Sequence, residues 1–145
     1  MKLYLDMCVL KRPFDDQSQE RIVAETRAIT LIIDRIEKGS DSLVWSPALD
    51  FENDADPDGE ARTEVARYST IAEFCFLTRD IEERIEDLSL RGVGRLDAAH
   101  LAFAEAAANV LITCDDSLLR RATRIGCLIR LLNPIEYLRE IGHGQ

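Results

Sequence analysis

The sequence lacks the pairings that would make its cysteines structural. Cys8, Cys75, Cys114 and Cys127 form no C-x-x-C pair, and neither of the two histidines stands at zinc-like spacing from a cysteine. That excludes a zinc-finger site and leaves free thiols in a reducing compartment as the expected state. No apolar run nears the roughly 20 residues that a membrane span needs. The N-terminus has no charged-then-apolar signal pattern, so a cytoplasmic protein with no membrane partner is expected. Positive charge is also scarce: 18 Lys plus Arg stand against 27 Asp plus Glu, a net charge of −9. This balance argues against a passive nucleic-acid coat, which carries a basic surface. It leaves room for an enzyme that reaches phosphate through a bound metal. Repeats, low-complexity tracts and interdomain linkers are missing too, and 145 residues then read as one domain, 1–145.

What is present is an alternation. Residues 2–5 (KLYL) suit a short strand, and "RPFDDQSQE" reads as a turn. Apolar residues recur at helical spacing from about 19 to 38, with Ile29, Ile32, Ile33 and Ile36 on a core-facing stripe, until Gly39 stops the helix. "SLVW" (42–45) is a second strand, and Ser46-Pro47 starts a short helix with a capping residue and proline at the first position. Helices are expected at about 60–73, 79–90 and 96–108, the last alanine-rich and buried. A short strand is read over 73–77, a central one over 109–113 and a final one in "CLIRLL"; helices follow in "DDSLLRRAT" and "PIEYLREI". Strands alternating with helices predict an α/β fold: a three-layer α/β/α sandwich around a mostly parallel sheet of four or five strands.

In such sheets the working site lies beyond the carboxyl ends of the strands. Asp6 ends the first strand there, and Asp115 and Asp116 follow "VLIT". Glu52 lies about one and a half turns into the helix after the second strand. Asp97 opens the buried helix "GRLDAAHLAFAEAAA". Each has a plainer reading: Asp97 and Asp116 are of the type that caps helices, and Glu52 could be an ordinary solvated acid. Gathered in one crevice, however, carboxylates repel one another and raise each other's pKa. No Lys or Arg immediately adjoins Asp6, Glu52, Asp97 or Asp115 in sequence, so a divalent cation is the economical counter-charge, and oxygen donors suit Mg²⁺ or Mn²⁺.

The segments "LYLDMCVL", "SPALDFE", "LDAAHLA" and "LITCDDSLL", in this order and at these spacings, together resemble a PIN domain from residue 2 to about 138. "RPFDDQSQE" is similar to a bacterial and archaeal PIN subgroup. The resemblance implies a metal-dependent ribonuclease, in many members the toxin of a VapBC-type toxin–antitoxin system, commonly a homodimer with an antitoxin partner. Carried over by position, Asp6, Glu52, Asp97 and Asp115 are the catalytic acids, with Asp6, Asp97 and Asp115 on one or two Mg²⁺ or Mn²⁺ ions. Glu52 completes that shell or orients the attacking water. Thr113 matches the threonine of a T-x-D element, and Asp116 is an auxiliary acid. The family often has Ser or Thr, then Asn, after its first Asp; Met7 and Cys8 stand there instead.

Some features remain open at this level. Lys11 and Arg12 follow the first strand, and Arg120, Arg121 and Arg124 lie on the helix after Asp115. All are candidate RNA phosphate contacts, or else solvated helix faces. His100 stands one turn from Asp97 and could reach the site, but a histidine in an apolar helix is more often a hydrogen-bonded core residue. Cys8 and Cys114 read as small packing residues. Other acid-bearing α/β folds fit poorly. A haloacid-dehalogenase phosphatase needs D-x-D after its first strand, and a receiver domain needs an early acidic pair and a late lysine; no lysine follows Lys38. The non-enzyme alternative is a degenerate PIN domain that binds RNA or protein without cleaving.

Overall fold

A computed structural model describes residues 1–142. Five strands form a single all-parallel sheet: β1 (Lys2–Leu5), β2 (Ser42–Trp45), β3 (Glu73–Phe74), β4 (Val110–Ile112) and β5 (Arg130–Leu132), in the order β3-β2-β1-β4-β5. The helices are α1 (Met7–Lys11), α2 (Glu20–Glu37), α3 (Pro47–Asp54), α4 (Gly59–Arg67), α5 (Arg79–Leu90), α6 (Arg95–Ala107), α7 (Asp116–Arg124) and α8 (Pro134–Glu140). Short 3₁₀ turns extend α1 over Arg12–Phe14 and α4 over Tyr68–Ile71.

A parallel sheet covered on both faces has no polar side, which is why its strands read as continuous apolar runs. Leu3, Tyr4 and Leu5 of β1 and Leu111 and Ile112 of β4 are completely buried. Each such Leu or Ile contributes roughly 1.5–3 kcal/mol by leaving water. The connection from β1 to β2 steps one way across the sheet, and that from β3 to β4 steps back past β2 and β1. Right-handed crossovers therefore send α2 and the α5–α6 pair to opposite faces. The stripe Ile29, Ile32 and Ile36 of α2 is buried, α2 packs on α8, and α5 packs along α6. The three-layer α/β/α architecture expected from the sequence is thus present.

Several local expectations are corrected. "MCVLK" after Asp6, for which the sequence suggests no element, is a short helix capped by Asp6. Five residues are too few for helical periodicity to register. The helix expected over 60–73 ends at Arg67 and tightens to 3₁₀, and the strand expected over 73–77 pairs only at Glu73 and Phe74, at the sheet's edge.

The order β3-β2-β1-β4-β5 makes β1 central. After β1 the chain leaves for one face, and after β4 it leaves for the other. The carboxyl ends of these neighbouring strands therefore flank an open crevice, the switch point where sheets of this kind bind ligands. Among the described residues, no helix is long and apolar enough to cross a membrane.

Candidate metal centre

Asp6 sits in that crevice because β1 ends one residue before it. Its N–H still donates to the Ile112 carbonyl of β4 at 2.9 Å, while its side chain turns to cap α1, accepting from Met7 N at 2.8 Å. The residue is 8% exposed. Its second oxygen accepts from the Thr113 hydroxyl at 2.8 Å and from the Cys8 thiol at 3.3 Å. Thr113 Oγ1 in turn accepts from Asp115 N at 3.0 Å, so the threonine ties both strand ends together.

Two further side chains approach Asp6 from α3 and α6. Ser46 caps α3, and Pro47 fixes its first turn, which carries Glu52 inward. On α6, His100 is 2% exposed, and its Nε2 lies 2.7 Å from Glu52 Oε1. Its Nδ1 lies 2.7 Å from the Tyr4 hydroxyl, which reaches Ser46 Oγ at 2.6 Å. One ligand atom each from Asp6, Glu52 and His100 fall within 4.8 Å of one another. Among the described residues this is the group that meets such spacing. The sequence shows His100 one turn from Asp97 but favours a core role for it; the structure gives it that burial and also sets its Nε2 against Glu52.

Asp97 and Asp115 stand around that trio. Asp97 is half-buried in the first turn of α6, and its carboxyl is raised above the ordinary range by burial, then by the charge of Asp6 and, more weakly, of Asp115; Arg121, 3.3 Å away, opposes this. So Asp97 does have a cationic neighbour, which comes from α7 and could not be seen in the local sequence. Asp115 caps α7 by accepting from Leu118 N at 3.1 Å. The cap is therefore Asp115 rather than Asp116, and Gly94 precedes α6 where Asp97 was a candidate cap. Asp116 points outward to a two-pronged pair with Arg21 at 2.7 and 2.8 Å, which holds its carboxyl below the ordinary range.

The tertiary structure matches a solved one. A chain in the crystal structure of VapBC2 from Rickettsia felis, bound to a DNA fragment from their promoter, superposes with a TM-score of 0.61. The match covers 92% of this chain and 98% of that one, at 13% sequence identity. The two share a fold. The sequence itself matches no family model and no curated protein.

The cysteines flanking the crevice are free, and Cys114 N donates to Cys8 Sγ at 3.3 Å. The Cys114 side chain, burial and the charge of Asp6 push the Cys8 thiol up, against the backbone bond from Cys114 N, so it stays protonated and serves Asp6 as a donor. This partly replaces the polar neighbour that Met7 and Cys8 appeared to remove.

The candidate RNA-binding cations divide in two. Lys11 is spent on Asp56 at 2.5 Å and Asn53 at 2.6 Å, and Arg12 on Asp15 at 2.9 Å and Glu25 at 3.1 Å. Arg120 is exposed. Glu25 is a carboxylate 1% exposed beneath the crevice, also reached by Arg21 and, at 2.6 Å, by Asn133 Nδ2.

The donor set fits a divalent cation. Donor atoms within 4.8 Å suit one small ion, and the carboxyl of Asp97, raised first by burial and then by the charge of Asp6, is a group whose ionised form a cation would favour. This raised carboxyl has a pH signature. An acid whose pKa is raised on folding binds more protons folded than unfolded in the window above its ordinary 3.8, so stability falls as pH rises through that window. Asp97→Asn removes this term. In metal-free protein the variant melts higher than wild type at pH 7, and the gap closes as pH falls below the ordinary carboxylate value. Paired thermal melts in chelator check this, and a variant that melts lower at pH 7 contradicts it.

Proposed function

We propose that this chain is a metal-dependent ribonuclease of the PIN type, hydrolysing phosphodiester bonds in RNA at the crevice between β1 and β4. The observation that carries the reading is the convergence of Asp6, Glu52 and His100, with Asp97 beside them, at the carboxyl ends of the central strands. The fold shared with a VapBC2 chain supports it. So does the order of the segments around Asp6, Glu52, Asp97 and Asp115.

In this reading Asp6 and Glu52 hold the cation, Mg²⁺ or Mn²⁺, and Asp97 and Asp115 complete its surroundings from α6 and α7. When bound, the cation supplies positive charge to the scissile phosphate and acidifies water near neutral pH. Thr113 and Cys8 fix the Asp6 carboxylate through the two bonds to its outer oxygen. His100 holds Glu52, and the exposed Arg120, on the helix that Asp115 caps, is the candidate phosphate contact. Asp116 is auxiliary, tied to Arg21. We extend the reading to a cytoplasmic toxin that forms a homodimer and is held by an antitoxin partner.

Two measurements test this. Mixed-sequence RNA incubated with the protein and millimolar Mn²⁺ is cut, and EDTA stops the cutting; RNA left intact by the Mn²⁺-loaded protein sinks the reading. For RNA binding, Arg120→Ala lowers the slope of log affinity against log salt by about one, the share of a single phosphate contact. Lys11→Ala leaves that slope unchanged, because Lys11 is already paired. Filter binding across a salt series reads both; equal slopes in Arg120→Ala and wild type would remove Arg120 from the interface.

A further inference from the structure

We infer that His100 is a metal ligand through Nε2, and that this nitrogen makes the crevice select Mn²⁺ or a similar first-row ion over Mg²⁺. The inference rests on the reading of the crevice as a divalent-cation site, and goes beyond it by adding a nitrogen donor to a set of acids.

The first argument is reach. The ring of His100 is buried and its Nε2 is turned to Glu52 Oε1, 2.7 Å away; a ring nitrogen of His100, an oxygen of Glu52 and an oxygen of Asp6 all lie within 4.8 Å of one another. The second is anchoring. Metal-bound histidines nearly always engage their other ring nitrogen in a hydrogen bond that sets the tautomer and the ring's orientation. Here Nδ1 meets the Tyr4 hydroxyl at 2.7 Å, Tyr4 meets Ser46 Oγ at 2.6 Å, and Ser46 Oγ accepts from Leu49 N at 3.3 Å. Tyr4 lies in the central strand and is fully buried, so the anchor is rigid. Burial also raises the phenol well above its ordinary pKa, keeping it a neutral hydroxyl that can donate or accept.

That freedom lets one ring position serve both states. Without an ion, Nε2–H donates to Glu52 and the Tyr4 hydroxyl donates to Nδ1. With an ion, the imidazole's single proton sits on Nδ1 and donates to Tyr4, whose hydroxyl turns to Ser46, and Nε2 presents its lone pair. The ring holds one proton in each state and stays where it is, while the more exposed Glu52 carboxylate, which occupies the direction of the Nε2 lone pair, swings aside to make room for the ion. Mg²⁺ gains little from this arrangement, since it demands oxygen ligands and keeps its waters. Imidazole suits the transition ions, whose affinity for nitrogen rises from Mn²⁺ onward.

The test uses Mn²⁺ and Mg²⁺ alone, without RNA. Pulsed electron paramagnetic resonance of the Mn²⁺-loaded wild type shows coupling to a directly bound imidazole nitrogen. Calorimetric titration shows Mn²⁺ bound at least about tenfold more tightly than Mg²⁺. His100→Gln, which keeps a neutral hydrogen-bonding side chain and leaves the second histidine, His143, in place, loses the nitrogen coupling, and its preference falls to within about threefold. Tyr4→Phe weakens Mn²⁺ binding by about tenfold, the usual cost of losing an outer partner of a ligand. Wild type that binds Mn²⁺ without nitrogen coupling overturns this inference and leaves the hydrolysis reading standing. Wild type that binds neither ion overturns both. The spectrum of the wild type decides even if His100→Gln fails to fold.

Discussion

Asp6→Asn lowers Mn²⁺-dependent RNA cleavage by more than about 100-fold, beyond the upper end of what losing an outer partner of a ligand costs. It does so while the protein stays folded. An asparagine oxygen still accepts from Met7 N and caps α1. The new amide then faces Thr113 Oγ1, which can turn its own hydrogen toward Cys8 Sγ, 3.4 Å away. The change therefore removes charge from the crevice and leaves the hydrogen bonds repairable. The thermal stabilisation that wild type gains from Mn²⁺ shrinks with it, since an ion that binds the native state stabilises it by an amount that grows with the logarithm of its affinity. Cleavage assays and melts on the same preparation check both parts. Undiminished cleavage by the variant would remove Asp6 from the reaction.

The second large effect is on stability. Glu25→Ala destabilises the fold by about 3 kcal/mol, the lower end of what removing one partner from a buried ion pair costs. Glu25 is 1% exposed and collects Arg12, Arg21 and Asn133 from three separate segments. Without it the mostly buried Arg12 keeps only Asp15. Arg21 also bonds Asp116 and the Cys114 carbonyl, so the loss spreads to the loop after β4. Urea unfolding at neutral pH measures it, and a change below about 1 kcal/mol, the scale of an exposed ion pair, would show that Glu25 is not the hub.

The sheet was readable because its main strands are short apolar runs bounded by polar residues such as Asp6, Asp41, Ser46 and Asn109. "KLYL", "SLVW" and "NVLIT" all lie within a residue or two of observed strands. The neighbouring placement of β1 and β4, on which the convergence of Asp6 and Asp115 depended, also holds. What escaped was whatever depends on partners remote in sequence. Glu25 sits in "ERIVAETRA" and looks like any solvated helix acid. Its burial is decided by Arg12 and by Asn133, 108 residues away. Arg121 reaches Asp97 across two helices, and Lys11 finds Asp56, 45 residues on. His100 was visible but ambiguous, because a core histidine and a ligand histidine look alike until Nε2 has somewhere to point.

The Thr113 hydroxyl that holds Asp6 is 107 residues further along the chain. Between the synthesis of these two residues the ribosome must make β2, β3 and most of the helices, so Asp6 emerges early and waits. A nascent chain stalled anywhere before β4 carries the first acid of the crevice but neither Thr113 nor Asp115. Placing the central strand first and its neighbour fourth thus makes the site a late product of translation. Prematurely terminated fragments of the sequence are released without it.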